Sequence, residues 1–320
     1  MLTDSFGRVH RDLRVSLTDR CQLRCTYCMP EEGLAWAKDV LTADEIARVI
    51  RIAVGEGVTE VRLTGGEPLL RRDLLEVVRA IDVPDLSLTT NGMGLARLAP
   101  ELRTAGLQRV NVSVDTLRPD RFRLLTRRDG FRAVLDGVHA AQDAGLLPVK
   151  VNTVLMRGIN DDEVLDLVGW ARTEGLELRF IEHMPLGPDG AWDRADVVTA
   201  QEVLATLRTA YEVTPVGDRD HAPAELFRLD GTGPAVGVIA SVTQPFCGDC
   251  DRLRLTADGH LRACLFSRDE DDLRPLLRGG ASDGDLAAKL HAVVAGKGAG
   301  HGIGLPGFVS PARTMSAIGG

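Results

Sequence analysis

The cysteines of this chain form two separated triads, and this pattern constrains the protein more than any other feature of its sequence. The triads are Cys21, Cys25, Cys28 and Cys247, Cys250, Cys264. Three thiolates can bind three irons of a [4Fe–4S] cluster, which leaves the fourth iron open for a ligand from outside the cysteines. The sequence therefore predicts two [4Fe–4S] clusters, each with one open iron, in a protein that binds small molecules directly to iron.

Composition excludes several classes of protein. With 320 residues, 44% of them apolar and 26% charged, the chain suits one large globular domain or one domain with an extension. Its net charge of -8 argues against nucleic-acid binding by broad phosphate neutralisation, although a local arginine cluster could hold a small anion. No apolar run could span a bilayer, and the first residues lack a secretory segment. We expect a cytoplasmic protein whose closely spaced cysteines are metal ligands rather than disulfides.

The first two thirds of the chain repeat a short β-branched run followed by an amphipathic stretch. Strands are predicted at Leu13–Leu17, Val58–Leu63, Leu86–Thr90, Arg109–Val114, Val149–Leu155 and Leu176–Ile181. Helices are predicted after the capping box that begins at Thr42 and near Arg72–Ile81, Leu95–Ala105, Phe131–Ala144 and Asp161–Glu174. Six alternating units are too few for a closed eight-unit barrel. We predict an α/β fold, a partial six-unit open βα barrel with ligands at the carboxyl ends of its strands.

The pattern changes after about Thr199, which predicts a second region. We expect residues 1–214 to form the barrel with the first cluster and residues 215–320 to form a C-terminal region with the second. In that region, two short strands flank the turn Asp258–Gly259 and predict a β-hairpin. The glycine-rich stretch 296–304 is expected to be mobile.

The first triad follows the first predicted strand, so it lies on a loop at a strand's carboxyl end. A structural zinc site would need a fourth Cys or His nearby, and the sequence offers none. Tyr27 precedes the last cysteine, and Gly65–Pro68, of sequence GGEP, follows the second predicted strand. Together these features resemble the radical S-adenosylmethionine (SAM) superfamily. The resemblance implies that the open iron chelates SAM and that the GGEP segment meets its amino group, with Glu67 balancing the ammonium.

Basic residues recur near the second triad and within the predicted strands. If the strand begins early enough to include Cys250, alternation places Arg252 and Arg254 on the same face as this cysteine. An isolated pair could form a solvated face, but beside cysteines a bound anion is favoured because the guanidinium fork matches phosphate. The cations within apolar strands are Arg14, Arg62, Lys150 and Arg179. Such charges must be ion-paired or face a polar cavity, and together they predict a basic cavity suited to a triphosphate.

Further segments extend the resemblance along the whole chain. They are Arg11–Cys21, Thr89–Gly92, Asn111–Asp115, Lys150–Asn152, Gly158–Asp161, Arg179–Met184, Leu255–Gly259 and the terminal Gly319–Gly320. With the two triads, they resemble the GTP 3',8-cyclase family of molybdenum cofactor biosynthesis. The resemblance implies that cleavage of SAM gives a 5'-deoxyadenosyl radical, which takes the hydrogen atom from C3' of GTP. The C3' radical then attacks C8 of guanine and gives 3',8-cyclo-7,8-dihydro-GTP.

The resemblance also implies roles for individual residues. SAM contacts are expected from Tyr27, Gly66, Ser113 and Met184. GTP contacts are expected from Arg14, Arg62, Thr89, Lys150, Arg252, Leu253 and Arg254, with guanine near the open iron of the second cluster. Arg179 and the tail Gly319–Gly320 are expected to act in catalysis. For the tail, the physical reason is that a terminus without side chains can enter a narrow pocket. The alternatives are a frayed tail and, for Arg62, a pairing with Glu60 on the same strand face.

The implied partners are a flavodoxin-like electron donor, a second copy of the chain in a homodimer, and a downstream cyclic pyranopterin monophosphate synthase. Nucleic acid and membranes are not expected as partners. Two other functions stay open on the sequence alone. A radical peptide maturase would share the first triad but usually carries more C-terminal cysteines. An iron–sulfur carrier would explain the cysteines but neither the GGEP segment nor the cationic strands.

Overall fold

The computed structural model describes residues 1–187, 192–219 and 221–319. Its strands are β1 (Asp12–Ser16), β2 (Glu60–Thr64), β3 (Asp85–Thr90), β4 (Arg109–Ser113), β5 (Lys150–Leu155), β6 (Glu177–Glu182), β7 (Val213–Pro215), β8 (Glu225–Leu229), β9 (Thr232–Ile239), β10 (Arg252–Leu255), β11 (His260–Arg262) and β12 (Asp271–Asp272). Its α-helices are α1 (Ala43–Gly55), α2 (Leu74–Arg79), α3 (Leu95–Ala105), α4 (Pro119–Thr126), α5 (Phe131–Asp143), α6 (Val164–Thr173), α7 (Ala200–Arg208), α8 (Arg274–Arg278), α9 (Asp283–Ala295) and α10 (Met315–Ile318). Within the described ranges, no helix has the length and apolar character needed to cross a membrane.

The strands form one sheet in the order β12-β11-β10-β1-β2-β3-β4-β5-β6-β9-β8-β7. Strands β1 to β6 are parallel neighbours in chain order, which confirms the six-unit βα barrel. Strand β10 adds in parallel to β1 and begins the predicted hairpin with β11, while β9 adds in parallel to β6. In the part of the chain that the structure describes, the two ends of the sheet do not pair, so the barrel is open. The domain boundary at residue 215 stays a prediction, because strands from both sides of it share this sheet.

Alternation along the parallel strands gives the sheet two different faces. On one face, side chains such as Leu13, Val61 and Leu88 are buried and join the same apolar core as the helices. On the other face, Arg14 and Arg62 alternate with these residues and line a cavity. The predicted cations therefore lie on the cavity side of the strands, where they do not interrupt the core.

Helix α1 shows how local sequence sets the outer layer. Its capping box is formed as predicted, since Thr42 Oγ1 accepts from Glu45 N at 3.2 Å and Glu45 Oε2 accepts from Thr42 N at 2.8 Å. One face of the helix carries Ile46, Val49 and Ile50, all buried in the core. The apolar period and the cap therefore fix both the start of α1 and the face that it buries.

The cap of α1 gives a test of local stability. Replacing Thr42 by Ala removes the acceptor for Glu45 N and should lower the free energy of unfolding by about 1 kcal/mol. The matched control is Thr104→Ala in α3, where the hydroxyl only donates to Pro100 O within the helix. That change should be near neutral, because alanine has the higher helix propensity. Urea unfolding followed by circular dichroism measures both, and equal losses in the two variants would contradict the assignment.

Candidate active site

Both cysteine triads line one cavity of about 280 Å³ on the polar side of the sheet. All six cysteines are free thiols. The other predicted site residues that line this cavity are Arg14, Tyr27, Arg62, Gly66, Thr89, Ser113, Arg179, Met184, Arg252 and Arg254. Three predicted residues lie outside its lining, namely Lys150, Leu253 and Gly319, and Gly320 lies outside the described residues. The fold thus brings two triads that are distant in sequence to the walls of one space.

The GGEP segment packs tightly against the start of the first cysteine loop. Gly66 N donates to Thr18 O and Glu67 N donates to Arg20 O, both at 2.7 Å. A Cβ atom on Gly65 would lie 2.3 Å from Thr18 O, and one on Gly66 would lie 2.4 Å from Arg20 O. The two glycines are therefore required for contact between two backbone loops.

Glu67 has a different place from the one predicted. The side chain is fully buried, and its Oε1 accepts from Leu69 N at 3.0 Å and from Thr90 Oγ1 at 2.7 Å. Its Oε2 accepts from Asn91 N at 2.7 Å. Burial raises the pKa of Glu67 to about 7 despite these hydrogen bonds. The carboxylate joins the loops after β2 and β3, so the protein and not a ligand's ammonium supplies its partners.

Tyr27 and Asp115 connect the first cysteine loop to the strand ends. Tyr27 Oη donates to Asp115 Oδ2 at 2.7 Å, and Val154 N donates to Asp115 Oδ1 at 2.8 Å. Burial raises the pKa of Asp115 to about 6. Since Asp115 holds the Tyr27 hydroxyl, a contact between Tyr27 and SAM would use its ring or backbone. Ser113 lies two residues before Asp115, at the end of β4 and on the cavity wall.

The thiols of the first triad are partly buried in the cavity wall. Burial raises the pKa of Cys21 to about 11, that of Cys28 to about 12, and that of Cys25 well above its usual value. Such thiols ionise only when positive charge compensates, and cluster iron would supply it. Among the described residues, no three His, Cys, Asp or Glu side chains are close enough to hold a single metal ion. The fit to a cluster therefore rests on the spacing and on these free thiols at the cavity wall.

The second triad has a cationic environment. Burial alone would raise the pKa of Cys250, but Arg252 and Lys297 outweigh it and lower this pKa to about 7. Arg252 Nη2 donates to Cys250 Sγ at 3.3 Å, and its guanidinium carbon lies 4.7 Å from the centre of the Phe246 ring. The predicted juxtaposition of Arg252 with a cysteine is therefore present, and the charge favours the thiolate that binds iron.

Three arginines lie side by side on adjacent strands, and we call Arg14, Arg62 and Arg254 the arginine row. Arg14 pairs in register with Arg62 of β2 and with Arg254 of β10. Their exposed fractions are 8%, 9% and 3%. Arg14 Nε lies 3.4 Å from Asp12 Oδ2. Burial and neighbouring guanidiniums lower the pKa of Arg14 to about 10 and also lower those of Arg62 and Arg254. Buried like charges at this density are unfavourable without an anion, so the row suits a polyphosphate.

Two further cations share one acidic partner. Lys150 Nζ lies 3.6 Å and Arg179 Nη2 lies 3.7 Å from Glu177 Oε2. Arg179 lines the cavity, and its buried Nε has no hydrogen-bond partner in the described structure. Lys150 is at the start of β5 and lies outside the lining. Arg179 is therefore the better placed of the two for a bound ligand.

In the described structure, Glu60 forms no ion pair with Arg62, and Leu253 lies outside the cavity lining. Glu60 Oε2 lies 3.8 Å from Arg109 Nη2, so its ion pair is with Arg109 and not with Arg62. Arg62 Nε instead donates to a serine hydroxyl of β3 at 3.4 Å. Leu253 is fully buried in the apolar core, on the face opposite to the cavity. A ligand contact by Leu253 would therefore have to use its backbone.

The C-terminal tail is anchored beside the arginine row. Ser16 Oγ donates to Ile318 O at 2.9 Å, and Arg254 Nη1 donates to Gly319 O. Gly319 has a φ of 90°, and a Cβ atom on it would lie 2.1 Å from Ser16 Oγ. The alternative of a frayed tail is therefore wrong as far as Gly319.

Several lining residues were not predicted, namely Asn91, Asp115, Asn152, Phe246, His301 and Ser316. Asn91 Nδ2 donates to Cys21 Sγ at 3.7 Å, and Ser316 lies beside the Cys28 thiol. Asn152 could have been found, because alternation from Lys150 places it on the cavity face. No sequence pattern indicated Ser316, because its contact with Cys28 joins segments near the two ends of the chain.

Comparison with known families agrees with this geometry. The model of the Radical SAM superfamily matches residues 15–171, and the model Molybdenum Cofactor Synthesis C matches residues 176–303. The fold is similar to Streptococcus suis SuiB bound to S-adenosylmethionine, with a TM-score of 0.60 at 14% identity over 89% of this chain and 68% of that one. Because that identity is low, the likeness shows the fold alone.

Similar sequences extend over the whole chain. The GTP 3',8-cyclase of Streptomyces coelicolor is 57% identical over 100% of this chain and 96% of the relative. The GTP 3',8-cyclase of Paenarthrobacter nicotinovorans is 51% identical over 100% of this chain and 97% of the relative. From this identity over its full length, the chain belongs to the GTP 3',8-cyclase family of radical SAM enzymes.

Proposed function

We propose that this chain converts GTP to 3',8-cyclo-7,8-dihydro-GTP in molybdenum cofactor biosynthesis, with one [4Fe–4S] cluster on each cysteine triad. The observation that carries the proposal is the shared cavity, which both triads and the arginine row line together. Membership of the radical SAM superfamily implies an iron–sulfur cluster and SAM. The name of the full-length relatives supports GTP as the substrate.

Cys21, Cys25 and Cys28 would hold the first cluster, which with SAM supplies a carbon-centred radical able to remove a hydrogen atom. The chain's own part is to fix the loop that presents these thiols. The two 2.7 Å backbone hydrogen bonds of Gly66 and Glu67 hold this loop against the GGEP segment. SAM would then lie against Gly66, Ser113, Met184 and the ring or backbone of Tyr27.

The arginine row would bind the triphosphate of GTP. Each guanidinium can donate two parallel hydrogen bonds to phosphate oxygens. Within the row, Arg14 is paired with the carboxylate of Asp12. Arg252 and Thr89 border the same space. Lys150 and Arg179 share Glu177, so a bound phosphate would compete with that carboxylate for them. The triphosphate would thereby relieve repulsion that the unliganded site contains.

Cys247, Cys250 and Cys264 would hold the second cluster, whose open iron supplies a binding point for guanine. Arg252 donates to Cys250 Sγ and also lines the cavity, so it joins this triad to the phosphate region. Gly319, held by Arg254, would close the space next to the row. Substrate contacts at both ends would orient the ribose towards the first triad.

The remaining proposals follow from family membership. A flavodoxin-like protein would donate the electron, and a cyclic pyranopterin monophosphate synthase would use the product. We place the chain in the cytoplasm as a homodimer, and its six free thiols fit a reducing compartment.

The reaction is tested by an anaerobic assay of the reconstituted protein with reductant, SAM and either GTP or ATP. We expect 5'-deoxyadenosine together with a cyclised nucleotide from GTP only, both identified by mass. 5'-Deoxyadenosine without a nucleotide product would make the GTP assignment wrong. No 5'-deoxyadenosine, with both clusters intact by spectroscopy, would favour an iron–sulfur carrier.

Two cysteine variants act as controls for each other in this assay. Each should hold about four iron atoms per chain where the parent holds about eight. Cys21→Ala should abolish cleavage of SAM, whereas Cys264→Ala should retain slow cleavage and lose cyclisation. Normal cyclisation by Cys264→Ala would contradict a role for the second cluster in substrate binding.

A substitution of Arg62 tests whether the arginine row binds GTP. Arg62→Met should weaken GTP binding roughly 10- to 100-fold, since charge-assisted hydrogen bonds contribute about 1.5–3 kcal/mol each. The same change should raise the melting temperature of the unliganded protein, because it removes one of several buried like charges. The matched control, Arg51→Met, removes an exposed ion pair with Asp283 and should change neither. A lower melting temperature with unchanged GTP affinity would contradict this role.

The tail is tested by two glycine substitutions. Gly319→Ala places a Cβ atom 2.1 Å from Ser16 Oγ at a φ of 90°, so it should displace the tail and reduce cyclisation at least tenfold. Gly304→Ala is the control, because a Cβ atom there has no neighbour within 4 Å. Deleting Gly319 and Gly320 should abolish cyclisation while iron content is retained. Unchanged turnover after that deletion would end the proposal for the tail.

A further inference from the structure

A group of buried ionisable residues behind the second triad has no part in the function proposed above. Its members are Asp4, Arg8, His10 and Lys297, with exposed fractions of 6%, 7%, 1% and 4%. Ionised side chains are rarely buried to this extent unless their hydrogen bonds are satisfied by specific partners. Two of its members contact cysteines of the second triad, Arg8 at Cys247 and Lys297 at Cys250.

Lys297 is the member that reaches a cysteine sulfur. Its Nζ lies 2.9 Å from His10 Nε2, 3.0 Å from Cys250 O and 2.9 Å from Arg252 O. These three acceptors match the three N–H groups of an ammonium. Cys250 Sγ lies 3.4 Å from the same Nζ, so the positive charge faces the sulfur directly.

His10 fixes the orientation of this ammonium. Its Nδ1 lies 3.2 Å from Arg8 O and donates to it, which leaves Nε2 as the acceptor for Lys297. Burial and the Lys297 charge lower the pKa of His10 to about 4, so the ring is neutral and can accept. The ring therefore supports Lys297 in one position.

Arg8 donates hydrogen bonds to the backbone of a neighbouring cysteine and of the segment that carries Lys297. Its Nη1 donates to Cys247 O at 2.6 Å, and its Nη2 donates to Gly298 O at 2.7 Å. Its Nε is paired with Asp4 Oδ2 at 2.5 Å. The group thus holds the backbone of Cys247 and Cys250 while it brings one positive charge to a thiol.

The choice of lysine at position 297 is itself informative. Only four of the 38 basic residues in this sequence are lysines. A planar guanidinium would not satisfy three acceptors arranged around one point, whereas the compact ammonium does.

We propose that Lys297 is a positioning residue that raises the reduction potential of the cluster on the second triad. Its charge beside Cys250 Sγ stabilises the added electron, since hydrogen bonds and charge near cluster sulfurs set such potentials. The inference rests on the proposed function, because it requires a cluster on Cys247, Cys250 and Cys264.

The test isolates the second cluster. In a parent with Cys21→Ala, Cys25→Ala and Cys28→Ala, a redox titration followed by electron paramagnetic resonance reports that cluster alone. Adding Lys297→Met, which keeps the chain length and removes the charge, should shift the midpoint to a lower potential. The matched control is Lys289→Met, which removes a lysine paired with Asp271 and should leave the midpoint in place.

The outcomes separate this inference from the proposed function. A parent that binds no iron would overturn both. A parent with a cluster whose midpoint is the same after Lys297→Met would overturn the inference alone. If Lys297→Met loses the cluster, Lys297→Gln repeats the titration with a neutral side chain that can still donate to the two backbone carbonyls. A lower midpoint in that variant supports the inference, and loss of the cluster there or an unchanged midpoint overturns it.

Discussion

The repulsion within the arginine row is the interaction on which the rest of this site depends. Arg14 lies between Arg62 and Arg254 at one level of the parallel sheet, and all three are buried. Their charge is compensated in part by Asp12, so the unliganded protein keeps an excess of buried positive charge in an acidic chain. An anionic ligand with several charges would relieve this repulsion, and the relief adds to its affinity. The polyphosphate that we propose as ligand would therefore offset a loss of stability that the free protein carries.

Such a row requires a rigid sheet, and buried carboxylates provide part of the rigidity. Glu67 accepts hydrogen bonds that join the loops after β2 and β3. Glu163 does the same for the loop after β4, and Glu182 for the segments that follow β6 and β9. Each lies near the carboxyl end of a strand, where the cavity opens. Strand β10 then pairs with β1 and brings the second triad to the same cavity.

Much of this architecture could be predicted because it depends on local patterns. The β-branched runs predict the bounds of all six barrel strands to within about two residues of those observed. Helix α3 has the predicted bounds Leu95–Ala105. Helix α4 was missed because it is short and largely polar. The partners of Glu60 and Glu67 could not be read from the sequence, because they depend on which strands and loops become neighbours. Likewise, the glycine-rich stretch 296–304 was expected to be mobile, but Lys297 and Arg8 tie it to the second triad.

We propose that one cavity brings the radical made at the first triad to a nucleotide held by the arginine row. Transfer of a label tests this most directly. The protein would be supplied with GTP deuterated at C3' and the resulting 5'-deoxyadenosine analysed by mass. We expect one deuterium in 5'-deoxyadenosine, with less transfer in variants of the row that bind GTP weakly. Unlabelled 5'-deoxyadenosine formed alongside the cyclised product would contradict this proposal, because the hydrogen atom would then come from a position other than C3'.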